Sequence, residues 1–355
     1  MKKIFLESHN IKNFYSGFGQ FNFHLIKSLQ EVIKEDPVLF FLHAEKKKSL
    51  PKNLNRNFIF KKYFGFRRYG IFRVRQKFDL WHCLNQNTKI EPYHSIPYLL
   101  TIHDINFVKE ISSDHDHPRI QRFQYKLNVA TAITYISQYV KEQTQAHFNV
   151  PEVPQYVIYN GNSISQEIVE NTVAKESDKS YLYSIGDFLE RKNFHLLVTM
   201  MQYLPEYNLI ISGNFNKDYG IRVKEEIYRL NLQNQITLTG KVSEEDKFSY
   251  MKGCRAFVFP SSNEGFGLPP IEAMAFGKPL FLHHQASLPE IGGKDSFYWQ
   301  HLNPETMAKE LIAGLSEFDA KPDYYSQNLK KRASTFNWNK AATEYYNVYK
   351  SIINK

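Results

Sequence analysis

Short β-forming runs alternate with longer stretches of helical period along the chain, and the series is run through twice. In the first half the predicted strands are residues 3–7, 37–43, 58–63, 80–84, 98–102, 132–137 and 157–159; in the second they are 181–185, 208–212, 236–239, 256–259 and 279–283. This alternation is the signature of parallel βα units with helices on both sheet faces. At 355 residues the chain is too long for one ordinary core, so two packed domains are expected. Between the halves, residues 166–180 (QEIVENTVAKESDKS) lose the apolar period and gain charge and serine, which predicts a linker. The expected domains are 1–165 and 166–335. Beyond them Trp338, Ala341, Ala342, Tyr345, Tyr346, Val348, Tyr349 and Ile352 fall at helical spacing, which predicts a closing helix within 336–355.

With 42% hydrophobic residues the chain is too apolar for disorder, yet no window approaches ~18 consecutive apolar residues. The start, Met1-Lys-Lys-Ile-Phe-Leu-Glu, meets charge where a signal peptide would stay apolar. Neither a membrane span nor export by that route is expected. Cys83 and Cys254 are far apart, each in an apolar run, which suits a reduced, cytoplasmic compartment. The formal charge of +9 is local: residues 46–77 hold twelve Lys or Arg and no Asp or Glu, and the remainder is slightly acidic. Those cations interleave with Phe58, Phe60, Tyr63, Phe64, Phe66, Tyr69 and Phe72. Such a segment suits an anionic membrane surface, a nucleic acid, or a solvated helix and loop whose rings are core. No nucleic-acid-reading module accompanies it, so nucleic acid is not the expected partner.

In doubly wound sheets ligands sit beyond the carboxyl ends of the strands. The strand 181–185 runs into Gly186-Asp-Phe-Leu-Glu-Arg-Lys-Asn193, with Asn193 placed as a helix N-cap. A glycine turn, a guanidinium, an ammonium and a helix start make a receptor for a diphosphate; the plainer alternative is a solvated basic turn. The strand 256–259 ends in PSSNEGFGLPPIEAMAFG, where Gly265 and Gly267 allow close backbone approach and Glu264 and Glu272 lie before and about one turn inside a helix. Carboxylates repel phosphate, so hydroxyls are their natural partners: a sugar for Glu264 and a ribose for Glu272. Dipole complementarity at the helix start is the structural alternative for Glu272.

These residues resemble the retaining glycosyltransferases of family 4, the group 1 glycosyltransferases of the GT-B fold. The E-x7-E element appears as Glu264 and Glu272, followed by SLPEIGG (287–293); the phosphate turn resembles IGDFLERKNF (185–194), and VIYNGNSI (157–164) the interdomain strand. In the first half SGFGQF (16–21), with Gly17 and Gly19, looks like the family's glycine loop under the acceptor. FDLWHCLNQN resembles the buried fourth strand, TIHDINF (101–107) the histidine-aspartate turn and YISQYVKEQTQAHF the serine-capped helix. RASTFNWNKAATEYYNVY resembles the segment that crosses back to the first domain. Asp187 stands where many members have Arg after the glycine, so Arg191 would supply the guanidinium, and Gln20 stands where Arg is frequent.

The resemblance implies two Rossmann-like parallel-sheet domains facing a central cleft, an acceptor-binding first domain and a donor-binding second one. It implies transfer of a hexose of mannose or glucose type, with retention, from a nucleotide sugar such as GDP-mannose or UDP-glucose to a surface-polysaccharide or lipid-linked saccharide. No separate cofactor is expected. Arg191 and Lys192 would stabilise the departing diphosphate, Glu264 would hold sugar hydroxyls, and Glu272 the ribose, with main-chain N–H groups of Phe266 to Leu268 on phosphate or sugar oxygens. His103 and Asp104 would reach the sugar from the first domain, although a histidine after a strand also serves structural ends. Asp114-His-Asp116-His117 carries ligand-type residues but follows no apolar strand, so a solvated loop and metal-independent catalysis are expected. The basic segment then reads as a site of attachment to the inner membrane face. The alternative from another class is a non-catalytic basic binding protein, for nucleic acid or anionic glycan, on the same scaffold.

Overall fold

The structure is a computed structural model that describes residues 1–33, 37–108 and 117–354. The chain divides into two compact units, residues 1–161 with 337–355, and residues 162–336.

The first unit is built on a parallel sheet of β1 (Lys2–Leu6), β2 (Val38–Ala44), β3 (Phe58–Lys62), β4 (Leu80–Cys83), β5 (Tyr98–Ile102), β6 (Ala132–Tyr135) and β7 (Gln155–Val157). Its order is β3-β2-β1-β4-β5-β6-β7, so the winding reverses between β1 and β4. Ile4, Phe5 and Leu6 of β1 and all four residues of β4 are buried, as central strands covered on both faces require. Helix α1 (Gly17–Val32) and the closing helix Trp338–Ile353 cover one core, where Phe21, Leu25, Leu29, Tyr345 and Tyr349 are buried. The closing helix buries every residue expected of it, and Tyr349 Oη lies 2.8 Å from His82 Nδ1 in β4. Gly161 is obligatory at this junction, since a Cβ there would stand 2.3 Å from the Trp338 nitrogen. Helices α2 (Pro118–Val129) and α3 (Gln138–His147) follow β5 and β6, capped by His117 and Ser137.

The second unit carries β8 (Tyr181–Ile185), β9 (Asn208–Ser212), β10 (Ile236–Gly240), β11 (Ala256–Phe259), β12 (Leu280–His283) and β13 (Phe297–Trp299), all parallel. The order β10-β9-β8-β11-β12-β13 reverses between β8 and β11. The strand β13 has no counterpart among the sequence expectations: three residues are too few to show a period. The stretch expected as a linker belongs to this unit. It opens with helix α4 (Gln166–Asn171), capped by the Ser165 hydroxyl, and Lys175 N–H bonds to the Ser249 carbonyl. Helices α5 (Phe194–Met200), α6 (Asp218–Arg229), α7 (Glu244–Gly253) and α8 (Leu268–Ala275) follow β8 to β11 in turn, and α9 (Leu288–Gly292) follows β12.

Both cysteines are buried and unpaired, although Cys254 closes helix α7 rather than lying in a strand. No described helix is long and apolar enough to cross a membrane. The basic segment splits. Phe58 and Phe60 pack against the core from β3, whereas Phe66, Ile71 and Phe72 are exposed on two short 3-10 turns, Gly65–Arg68 and Gly70–Phe72, with the exposed Phe64 and Tyr69 flanking them. The Lys62 ammonium and the Arg67 guanidinium lie over Phe64, and Arg68 over Tyr69.

Candidate active site

The reversal point of the second sheet brings together the turns after β8 and β11. Doubly wound sheets open a crevice at such a point because neighbouring connections leave to opposite faces. The two turns are stitched by main chain: the Arg191 carbonyl accepts from Ser262 N (2.8 Å) and Ser262 Oγ (3.2 Å), and Asn193 Nδ2 donates to the Pro260 carbonyl (2.9 Å). Asn193 adopts φ of 54°, a left-handed conformation that asparagine tolerates better than most residues. It precedes α5, but its side chain caps nothing, because its amide is committed to Pro260.

On this frame three expected residues meet at one atom. Glu264 Oε1 accepts from Arg191 Nη1 at 2.9 Å, Lys192 Nζ at 2.6 Å and Ser261 Oγ at 2.5 Å. Arg191 Nη1 also donates to the Asn263 carbonyl, at 2.8 Å. Glu264 Oε2 makes no hydrogen bond among the described residues, and the side chain is 13% exposed. Burial works to raise the Glu264 pKa, but the Lys192 and Arg191 charges and the hydrogen bonds from Lys192 and Ser261 outweigh it, so the group stays ionised below the ordinary carboxylate range. Burial lowers Lys192, which Glu264 pulls back and Arg191 pushes down further. The ammonium also lies 4.6 Å from the Phe259 ring centroid.

The glycines have separate duties. Gly186 passes close to Lys192, whose Cε would stand 3.2 Å from an added Cβ. Gly213, which sequence reading missed, has φ of +147° and would place a Cβ 1.9 Å from the Gly186 carbonyl oxygen, so the end of β9 braces the phosphate turn. Gly267 enters α8 at φ of +114°. Pro269 and Pro270 have no N–H, so the backbone donors at this entry are those of Gly267 and Leu268. Gly265 is half-buried; Phe266 is buried edge-on against Phe336, and Ser287 Oγ lies 2.9 and 2.7 Å from the Glu264 and Phe266 carbonyls.

Glu272 is placed one turn inside α8 and is buried, and its Oε1 accepts from Lys247 Nζ of α7 at 2.7 Å. Lys247 also reaches Glu244 Oε1 at 2.8 Å. Burial raises the Glu272 pKa more than its single cation lowers it, whereas two carboxylates hold Lys247 above its usual value despite burial. Glu272 Oε2 makes no hydrogen bond among the described residues. Nothing in the sequence flags Lys247, which lies 25 positions away on another helix in an unremarkable polar run.

His103 and Asp104 belong to the first unit. His103 Nε2–H donates to the Leu84 carbonyl at 2.8 Å, and the ring packs edge-on against Phe18 and Phe21. Burial takes its pKa down to about 4, so the ring is neutral near pH 7 with a bare Nδ1. Asp104 Oδ1 accepts from Asn106 N–H. Gly17 and Gly19 form not a loop but the first turn of α1, capped by Ser16 Oγ on Gly19 N at 3.1 Å. A Cβ on Gly19 would stand 2.0 Å from the Asn13 carbonyl oxygen, which gives that glycine a packing reason. Of the acidic-histidine cluster, residues 114–116 lie outside the described residues. His117 Nδ1 accepts from Arg119 N as a helix cap, and no group of three or more His, Cys, Asp or Glu among the described residues is arranged to hold a metal ion.

Two doubly wound parallel sheets, the second with an acid held by two cations at its reversal point, are the architecture of the GT-B fold. The family model for glycosyl transferases group 1 matches residues 165–332, and that for glycosyltransferase family 4 matches residues 28–166. The chain is a group 1 glycosyltransferase of family 4. It is similar to the O-antigen chain mannosyltransferase RfbU of Salmonella typhimurium, 27% identical over 258 residues that cover 68% of each chain. It is also similar to the O-antigen chain mannosyltransferase B of Escherichia coli, 23% identical over 390 residues that cover 99% of this chain and 100% of the relative. Among solved structures, Anabaena HepE in complex with UDP and glucose superposes with a TM-score of 0.74 at 16% identity over 99% of this chain and 100% of that one. Sucrose-phosphate synthase from Thermosynechococcus elongatus superposes with a TM-score of 0.75 at 18% identity over the whole of both chains.

Proposed function

We propose that the protein transfers a hexose, with retention and without a metal ion, from a nucleotide sugar to a saccharide of a surface glycan, and that mannose from GDP-mannose is the first donor to try. The mannosyltransferases of O-antigen chains among its relatives support the sugar; UDP-glucose is the second choice, supported by the ligands of the HepE structures.

The observation that carries the reading is the division of labour at Glu264. One oxygen is saturated by Arg191, Lys192 and Ser261, and the other makes no hydrogen bond among the described residues. A carboxylate so held is ionised and immobile, and its second oxygen is aimed by three partners at once. It is suited to grip sugar hydroxyls, while Arg191 and Lys192 keep donors for the diphosphate and offset the charge it gains as the glycosidic bond breaks. Glu272 Oε2 takes the ribose hydroxyls in this account. The acceptor hydroxyl attacks from the face the diphosphate leaves, its proton passing to a departing phosphate oxygen. We read the exposed aromatic turns over 64–72 as resting on an anionic membrane where lipid-linked acceptors are held.

Incubation with GDP-mannose or UDP-glucose and a lipid-linked saccharide mixture, with NMR of the product, tests the reading. An α-linked product from an α-linked donor, formed equally in EDTA, is expected. A β-linked product refutes retention, and abolition by EDTA refutes metal independence.

A further inference from the structure

The reversal point of the first sheet, between β1 and β4, holds a second charged cluster. Glu7 follows β1 directly and is fully buried, its N–H bonded to the His82 carbonyl of β4. His9 Nδ1 lies 2.8 and 2.9 Å from the two Glu7 oxygens, and His43 Nδ1, at the end of β2, lies 3.1 Å from Oε1. His43 Nε2 accepts from Arg67 Nη1 at 2.8 Å, so the inner imidazole is used on both sides. The outer one is not: His9 Nε2 makes no hydrogen bond among the described residues, and the side chain is 16% exposed.

His9 also has a platform. Its ring stacks on Tyr63 at 4.6 Å between centroids and 13° between planes. The ammonium of Lys12 lies 6.0 Å from the Tyr63 centroid and pairs with Glu45 at 2.9 Å, an exposed cation and carboxylate at the rim. An imidazole edge fixed by a buried carboxylate and seated on an aromatic ring, with a neighbouring ion pair, offers the donors and acceptors that sugar hydroxyls need. If the cluster served only to tie β1 to β2, Glu7 and His43 would suffice, because they are the members inside.

We infer that His9, on the Tyr63 platform, is a saccharide-binding residue that holds a hydroxyl of the acceptor through Nε2, and that Glu7 is the positioning residue behind it. The inference rests on the proposed reading in one respect, that the first unit receives the acceptor. The carboxylate on Nδ1 fixes which ring nitrogen carries the proton and turns Nε2 outward, as carboxylates do behind functional histidines elsewhere. The Glu7–His43–Arg67 relay further joins this subsite to the exposed basic turns, so a sugar carried on a lipid would be received beside the segment that meets the lipid surface.

The test is a ligand-observed NMR titration of the full chain with the methyl glycosides of mannose, glucose, galactose and N-acetylglucosamine. At least one is expected to bind; His9→Ala should weaken it tenfold or more, and His9→Gln, which restores a hydrogen-bonding group near the Nε2 position, should regain part of the loss. Glu7→Gln should weaken it several-fold and change the ring 15N shifts of His9 from one tautomer to a mixture, which a purely structural Glu7 would not do. Thermal stabilisation by GDP or UDP, read in the same samples, should be equal in wild type and His9→Ala. A glycoside that binds His9→Ala as tightly as wild type overturns the inference, as does failure of all four to bind wild type. Failure of both nucleotides to stabilise wild type would count against the donor reading and leave the glycoside result standing.

Discussion

Replacing Glu264 with glutamine separates the two things the carboxylate does. The amide keeps the volume and one accepting oxygen, but Arg191 and Lys192 lose the charge to which both donate, at 2.9 and 2.6 Å. Removing one partner of a buried ion pair costs about 3–5 kcal/mol, and a hydrogen bond to a charged group is worth about 1.5–3 kcal/mol. Since glutamine still accepts, the lower range applies, and the ligand-free protein should lose about 1.5–3 kcal/mol. Diphosphate binding should move the other way. In the ligand-free protein the two cations are already engaged by an internal anion; with that anion neutral, GDP or UDP should bind several-fold to tenfold more tightly, tenfold corresponding to about 1.4 kcal/mol. Transfer should nonetheless fall about a hundredfold or more, because an interaction made to the reacting sugar is lost.

Melting with and without nucleotide, beside a transfer assay, reads all three effects. The folded pKa of Glu264 is depressed. Its stabilisation is therefore fully present above the ordinary carboxylate pKa of about 4.3 and is lost as pH falls from there through the folded value, a slope Glu264→Gln should flatten. A variant as stable as wild type that binds nucleotide more weakly would refute this reasoning.

Three further outcomes follow from the geometry. Lys247→Met should lose about 3–5 kcal/mol by leaving Glu272 buried without its cation, whereas Lys247→Met with Glu272→Gln should recover much of it; additive losses in a double-mutant cycle by urea unfolding would show that the pair is not coupled. Gly213→Ala, with its Cβ directed at the Gly186 carbonyl, should abolish nucleotide stabilisation, while Gly186→Ala, which meets only the movable end of Lys192, should weaken nucleotide binding modestly; equal effects would contradict the bracing role of β9. Flotation with liposomes rich in anionic lipid should carry wild type and lose Phe66→Ser/Phe72→Ser, and equal partitioning to neutral and anionic vesicles would remove the membrane reading.

Much of this was legible in the chain because the features are local. Strands such as 181–185 and 208–212 are apolar runs closed by glycine or polar turns, and their bounds match the structure. The Arg191-Lys192 pair and Glu264 were legible because each stands in the turn that follows a strand, where ligands gather. What sequence reading missed is what depends on pairing across the fold. Lys247 becomes a partner of Glu272 only when α7 and α8 lie side by side, and Gly213 acquires its meaning from a carbonyl 27 positions earlier. Glu7 and His9 sit in an ordinary strand exit, and their link to His43 and Arg67 needs β1, β2 and the turn after β3 to be in place. The resemblance of SGFGQF to the family's glycine loop places Gly17 and Gly19 in a loop, but the Ser16 cap and the crowding at Asn13 explain them as a helix start.

The central claim is that the cation pair after β8 holds the diphosphate of an activated sugar. Calorimetric titration of GDP and of UDP into the wild-type chain and into Lys192→Met tests it most directly. The account requires that one nucleotide bind wild type and lose a hundredfold or more in affinity in the variant, while the variant keeps its fold through the remaining Arg191–Glu264 contact. Equal affinity in both proteins, or no affinity of wild type for either nucleotide, would contradict it.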